Sequence, residues 1–139
     1  MQAHIMLCDY AQLADGKLNI IGGGWSYTGP KPTPSAVAGF ITVPWHETNS
    51  GHEFCLSLED GDGGQVSFGD WPGQFAGRFE VGRPPALHSG SDQQVPFGFN
   101  LGPIPLRPGQ RYRWRLFVDD ETRDEWTAGF AVRPEGASA

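Results

Sequence analysis

The chain has 139 residues and a net charge of −6 at pH 7. This acidity disfavours broad binding to nucleic acid or to anionic membranes, which depends on an excess of Lys and Arg. The length suits one domain with its own core, and 5 Trp together with 9 Phe favour a packed interior over disorder.

The first apolar run, residues 5–8, is too short for a signal peptide and has no basic segment before it. We therefore predict a cytoplasmic protein. Cys8 and Cys55 do not have the spacing of a metal site, and we expect two thiols in a reducing compartment. Whether the two are close enough to pair is left open.

Residues 4–29 predict an opening β-hairpin. Asp15 and Gly16 lie between two apolar runs, and a type I′ turn needs positive φ at both central residues, which Asp-Gly tolerates. The return strand ends in three consecutive glycines, 22–24.

No segment shows a convincing helical period. Alternate prolines in the segment 28–35 predict a rigid crossover, and docking of this segment into a peptide-binding groove is the less favoured interpretation. Period-two patterns then predict strands at 37–43 and 52–59, a short return strand at 65–68 and an edge strand at 78–81.

Residues 95–101 also alternate, and Pro96 indicates an edge strand or a bulge. Residues 110–128 lack Gly and Pro and predict a final hairpin. Its inward side chains are expected to be Tyr112, Trp114, Leu116, Val118, Trp126, Ala128, Phe130 and Val132. Eight or nine short strands predict an all-β, single-domain antiparallel β-sandwich of immunoglobulin-like, Greek-key type over residues 1–133, followed by a frayed tail, 134–139.

The segments 8–11 (CDYA) and 15–20 (DGKLNI), with Gly22, resemble the opening of a family of small bacterial proteins of unknown function. The strand and Asp-x-Asp-Gly turn within residues 52–63 extend the resemblance, and the segment 23–30 is similar to an actinobacterial or phage-type subgroup. The shared motifs are turns and core positions. The resemblance therefore implies kinship in fold and brings no catalytic residue with it.

Metal and enzyme sites are disfavoured. Asp60 and Asp62 superficially resemble a calcium loop, but the distal ligands and flanking helices of an EF-hand are missing and a glycine-rich turn is favoured. No serine lies in a G-x-S-x-G motif, and the carboxylates lie in separate loops. We predict a protein that is not an enzyme and has no cofactor. The residues considered as metal ligands, and interpreted instead as surface groups, are His46, His52, Cys55 and His88.

A basic stripe, Arg111, Arg113 and Arg115, is predicted on the outer face of the final hairpin. Arginine suits carboxylate partners, so the stripe is a candidate contact for an acidic ligand or protein. The favoured alternative is cross-strand pairing with Glu121 and Glu125, which share the same face.

Aromatic side chains at strand ends and in loops are the other candidate contacts: Trp25, Tyr27, Trp45 and Trp71. We predict a non-catalytic β-sandwich that acts through protein contacts, as a homo-oligomer or as an assembly subunit. The alternative is a small-ligand or carbohydrate-binding module that uses these aromatics, and a metal-dependent enzyme is the least favoured reading.

Overall fold

The computed structural model describes residues 1–136, which are almost entirely strands and loops with one short 3-10 helix, Trp45–Glu47. None of these residues belongs to a helix that is long and apolar enough to cross a membrane. The strands are β1 (Gln2–Cys8), β2 (Tyr10–Ala14), β3 (Lys17–Ile21), β4 (Tyr27–Thr28), β5 (Ser35–Val43), β6 (Gly51–Asp60), β7 (Gln74–Glu80), β8 (Gln93–Leu101), β9 (Arg111–Val118) and β10 (Thr127–Val132).

The strands form a sandwich, as the sequence predicts. One sheet has the order β1-β5-β8 and the other has the order β4-β10-β9-β6-β7, while β2 and β3 pair only with each other. All pairs are antiparallel except β4 with β10. The finer immunoglobulin-like assignment stays a prediction.

The core lies between the two sheets, because every second residue of each strand points inward. In β9 the buried residues are the four predicted from the alternation: Tyr112, Trp114, Leu116 and Val118. From the opposite sheet, Val37, Ile41 and Val43 complete the same cluster. On one side of the sandwich β7 lies over β8, where the rings of Phe75 and Phe99 stack with centroids 5.5 Å apart.

The opening hairpin is shorter than predicted. Strand β1 does not pair with β3 but with β5, as an edge strand of the three-stranded sheet. The chain turns at Asp9, and only β2 and β3 form the hairpin. Its turn is the predicted one, since Asp15 and Gly16 have φ of 52° and 71°.

Other boundaries also differ from the prediction. Residues 65–68 contribute only isolated bridges, and the strand that returns beside β6 is β7, which begins at Gln74. Strand β8 is an edge strand, as Pro96 indicates. Part of the predicted frayed tail, residues 137–139, lies outside the described residues.

Cys8 and Cys55 are both free thiols and lie on opposite outer faces of the sandwich. The Cys8 side chain is fully buried beneath the hairpin, and burial raises its pKa. Burial raises the pKa of Cys55 as well. The thickness of two packed sheets, about 10 Å, separates the two sulfur atoms, so they cannot form an intramolecular disulfide in this fold.

Gly16→Val is expected to destabilise the fold by about 1–3 kcal/mol, because a β-branched residue resists positive φ. The site has open space for a side chain, so the cost comes from the backbone alone. Gly102→Val is the matched control, since Gly102 has equal space and no positive φ. Thermal melts of the two variants test this, and equal melting temperatures would show that the turn is not strained.

Candidate functional site

A cleft opens at the end of the sandwich where the hairpin is connected to β1 and β4. Its volume is about 640 Å³. We call it the glycine cleft, because residues 22–24 form part of its wall. Side chains that line it include Asp9, Trp25, Tyr27, Thr33 and Arg133.

The glycines are required by the path of the chain as it leaves β3. Gly22 and Gly24 have φ of 63° and 88°, in the left-handed region that favours glycine. A Cβ atom at Gly22 would overlap the Asp9 carboxylate. Glycines 22–24 therefore allow the backbone to pack against Asp9. Because these residues have no side chains, they leave this side of the cleft open.

Tyr27 presents an aromatic ring in the cleft wall. Its position in β4, paired with Ala131 of β10, leaves 58% of the residue exposed. The guanidinium carbon of Arg133 lies 4.7 Å from the ring centroid, and its Nη1 donates to the Gly29 carbonyl at 3.0 Å. The cation–π contact and this hydrogen bond hold the ring and the cation side by side.

Trp25 lies between the glycine cleft and the interior. Its ring packs edge-on against Phe130 with centroids 5.7 Å apart. It also lines a narrow apolar cavity of about 30 Å³, roofed by the proline-rich crossover. The Trp25 Nε1–H is buried and has no hydrogen-bond partner among residues 1–136.

Six large apolar side chains are exposed within the described residues: Met6, Tyr10, Leu13, Ile21, Tyr27 and Phe40. Two of them, Tyr10 and Ile21, lie next to this cleft. Tyr10 and Ile21 pair across the base of the hairpin, and their chain neighbours Asp9 and Gly22 line the cleft. Ile21 is 64% exposed and Tyr10 is 47% exposed.

Tyr10 and Ile21 were not among the predicted contact residues, although the sequence carries a signal for them. Both lie on the same face of the hairpin as Gln12 and Asn19, which pair with each other two residues nearer the turn. An apolar pair on an otherwise polar strand face is the pattern that marks such a surface. We call the outward residues Tyr10, Gln12, Ala14, Lys17, Asn19 and Ile21 the hairpin face.

The structure brings Trp25 and Tyr27 together but separates the other two predicted aromatics from them. Trp45 follows the far end of β5, where the Arg83 guanidinium lies 4.2 Å from its ring centroid. Trp71 packs against the buried Trp114, with centroids 6.4 Å apart. Trp71 therefore packs on the core, whereas Trp45 is half-buried beneath Arg83.

The basic stripe lies on the outer face of the five-stranded sheet, as predicted, but the predicted partners Glu121 and Glu125 are wrong. Glu59 of β6 pairs with two of the arginines: its Oε2 accepts from Arg113 at 2.8 Å and its Oε1 from Arg115 at 2.8 Å. Glu59 is only 9% exposed, and its single negative charge is shared between the half-exposed Arg113 and the largely buried Arg115.

His52 is buried, which corrects its assignment to the surface, whereas His46 and His88 are exposed. Its Nδ1 lies 2.7 Å from Asp119 Oδ2 and its Nε2 lies 2.7 Å from the Glu47 carbonyl oxygen. Burial lowers the pKa of His52, but hydrogen bonds to these two acceptors outweigh burial and raise it above the usual value. Among residues 1–136 no three His, Cys, Asp or Glu side chains gather as metal ligands.

The Asp60 carboxylate is used within its own turn. Its Oδ1 accepts from the N–H groups of Asp62 and Gly64, at 2.9 and 3.0 Å. This is an Asx turn, in line with the predicted glycine-rich turn.

The glycine cleft, by contrast, offers an aromatic ring, a carboxylate, a guanidinium and a hydroxyl group. Together these groups can bind and orient a molecule.

The model of a family of unknown function, DUF6941, matches residues 3–128 of the chain. No curated protein and no solved structure matches the chain.

Glu59→Gln is expected to destabilise the fold by about 3 kcal/mol, because Arg115 would stay shielded with only the exposed Asp124, 4.0 Å away, as a counter-charge. Glu53→Gln is the matched control: its pair with Arg78 spans 3.7 Å at the exposed surface, so the expected cost is below about 1 kcal/mol. Urea denaturation measures both. Equal losses would show that the Glu59 cluster contributes no more than a surface pair.

The His52–Asp119 pair predicts a pH-dependent stability. Hydrogen bonds from the Glu53 N–H and from His52 lower the pKa of Asp119. The raised pKa of His52 means that its contribution is complete below about pH 6.5 and is lost as pH rises through the folded value. The contribution of Asp119 is complete above about pH 3.9 and is lost as pH falls through its lowered pKa.

Melting temperatures between about pH 5 and pH 9 are expected to decline on the alkaline side. Asp119→Asn should flatten this decline, because Asn tolerates the positive φ at this position but carries no charge. Asp120→Asn, at the next positive-φ residue, is the control and should keep the slope. An identical pH profile for all three proteins would contradict the assignment.

Proposed function

We propose that this chain, which belongs to the DUF6941 family of unknown function, is a non-catalytic protein that acts through contact of its hairpin face with a second protein surface. The observation that carries the proposal is the exposure of Ile21 and Tyr10 on that face. Burial of one such side chain contributes about 1.5–3 kcal/mol, and tyrosine is enriched among residues that dominate binding.

A second copy of the chain is the partner that we propose for this face. The chain carries a net charge of −6, so two copies repel each other, and a face with few charges adds least to that repulsion. On the hairpin face Lys17 is the one ionisable side chain besides Tyr10, and the others are neutral. Two hairpin faces can therefore meet about a two-fold axis with little repulsion.

The hairpin also offers room for such a contact. Its two strands pair only with each other in the part of the chain that the structure describes, and its opposite face already packs on the sandwich. A face of this size is small beside the ~800 Å² per partner of a stable complex. We therefore propose a reversible dimer with a dissociation constant of roughly micromolar order.

The compartment and origin complete the proposal. We propose a cytoplasmic protein, supported by two free thiols on opposite faces of the sandwich. We also propose an actinobacterial or phage-type source, supported by the Gly-Gly-Trp-Ser-Tyr segment that begins at Gly23.

Light scattering after size-exclusion chromatography tests the proposal. Near about 100 μM the expected mass is twice 15.1 kDa, with a shift to the monomer on dilution. Ile21→Ser should weaken the dimer by roughly tenfold or more, because it removes the most exposed apolar side chain of the face.

Leu13→Ser is the matched control, since Leu13 is 50% exposed but lies on the other face of the hairpin. It should leave the association unchanged. A wild-type protein that stays monomeric at this concentration, or equal weakening by both substitutions, would contradict the proposed interface.

A further inference from the structure

The glycine cleft carries chemistry that the hairpin face does not use. It holds an exposed aromatic ring, Tyr27, together with the carboxylate of Asp9 and the guanidinium of Arg133. A hydroxyl group, Thr33, completes the polar groups that matter here. The set differs from a core-plugging cluster because Tyr27 and Arg133 line an open cleft of about 640 Å³.

From this set we propose that the glycine cleft is a binding site for a neutral, hydroxyl-rich ring, that is, a pyranose sugar. The proposal goes beyond the protein contact, because it assigns a small-molecule ligand to a different surface.

Charge selects the class of ligand. An anion would meet the Asp9 carboxylate and a cation would meet the Arg133 guanidinium, since both line the same cleft. A neutral molecule avoids both conflicts. Because a carboxylate only accepts and a guanidinium only donates, the ligand must also donate and accept, which hydroxyl groups do.

The aromatic ring selects the shape. A pyranose has an apolar C–H face that can lie on the ring of Tyr27, while its hydroxyl groups point to the rim of the cleft. One face of Tyr27 is already held by Arg133, and the residue remains 58% exposed. The ring is therefore held in place before a ligand arrives, which lowers the entropic cost of binding.

One further group fits a hydroxylated ligand. The Thr33 hydroxyl donates to the Lys31 carbonyl at 3.3 Å, so its oxygen remains available as an acceptor. Trp25 also borders the cleft, with its Nε1–H buried below the surface, so this N–H can report a bound ligand without contacting it.

Two-dimensional ¹H–¹⁵N NMR of the full chain tests the proposal. The probes are glucose, galactose, mannose and N-acetylglucosamine, each titrated to about 100 mM because isolated sugars bind weakly. The expected result is a saturable shift of the Trp25 indole N–H and of the Gly22–Gly24 amides with at least one sugar. Substitution of Trp25 by Phe assigns its indole signal among the 5 tryptophans.

Tyr27→Ala should reduce the affinity at least tenfold, and Asp9→Asn should reduce it without removing the ring. Phe40→Ala is the matched control, because Phe40 is an exposed aromatic outside the cleft. Its spectrum should titrate as the wild type does.

Absence of any saturable shift at the cleft with all four sugars would overturn the proposal. Shifts that persist unchanged in both Tyr27→Ala and Asp9→Asn would overturn it too. Light scattering with and without the sugar separates the two proposals. Sugar binding is measured by the shift of the Trp25 signal, whereas association through the hairpin face is measured by the mass of the particle.

Discussion

The position of the hairpin rests on the close packing of small residues on the outer face of the three-stranded sheet. Ala36, Ala38 and Gly98 leave this face shallow, and Ala11 of the hairpin lies against it. The Asn100 side chain then fixes the register, because its Oδ1 accepts from the Ala11 N–H and its Nδ2 donates to the Ala11 carbonyl, at 3.0 and 2.7 Å. A larger side chain at Gly98 would lift the hairpin from the sheet.

Both proposed surfaces follow from that packing. Since one face of the hairpin is held against the sandwich, the other face, with Tyr10 and Ile21, must point to solvent. The chain then has to return from β3 to β4 across the end of the sandwich, which requires the glycine run 22–24 and leaves the cleft beside it. The same constraint therefore produces a surface suited to a protein partner and a separate pocket suited to a small molecule.

Sequence patterns predicted those parts of the fold that depend only on residues close together in the chain. The Asp15–Gly16 turn and the inward face of β9 follow from φ preferences and from period-two alternation. The choice of strand partner does not follow from either, because it depends on packing between distant segments. The sequence of β1 predicts the first strand of a hairpin, whereas the structure pairs β1 with β5. The partner of Arg113 and Arg115 was missed for the same reason, since the adjacency of β6 and β9 brings in Glu59.

The measurement that tests the central claim most directly is hydrogen–deuterium exchange of the full chain at two protein concentrations, on either side of the dissociation constant. We expect the amides of residues 10–12 and 19–21 to exchange more slowly in the concentrated sample, while the exchange of amides in the five-stranded sheet does not change. Exchange at the hairpin that is independent of concentration, in a sample that light scattering shows to be dimeric, would place the interface elsewhere and contradict the account.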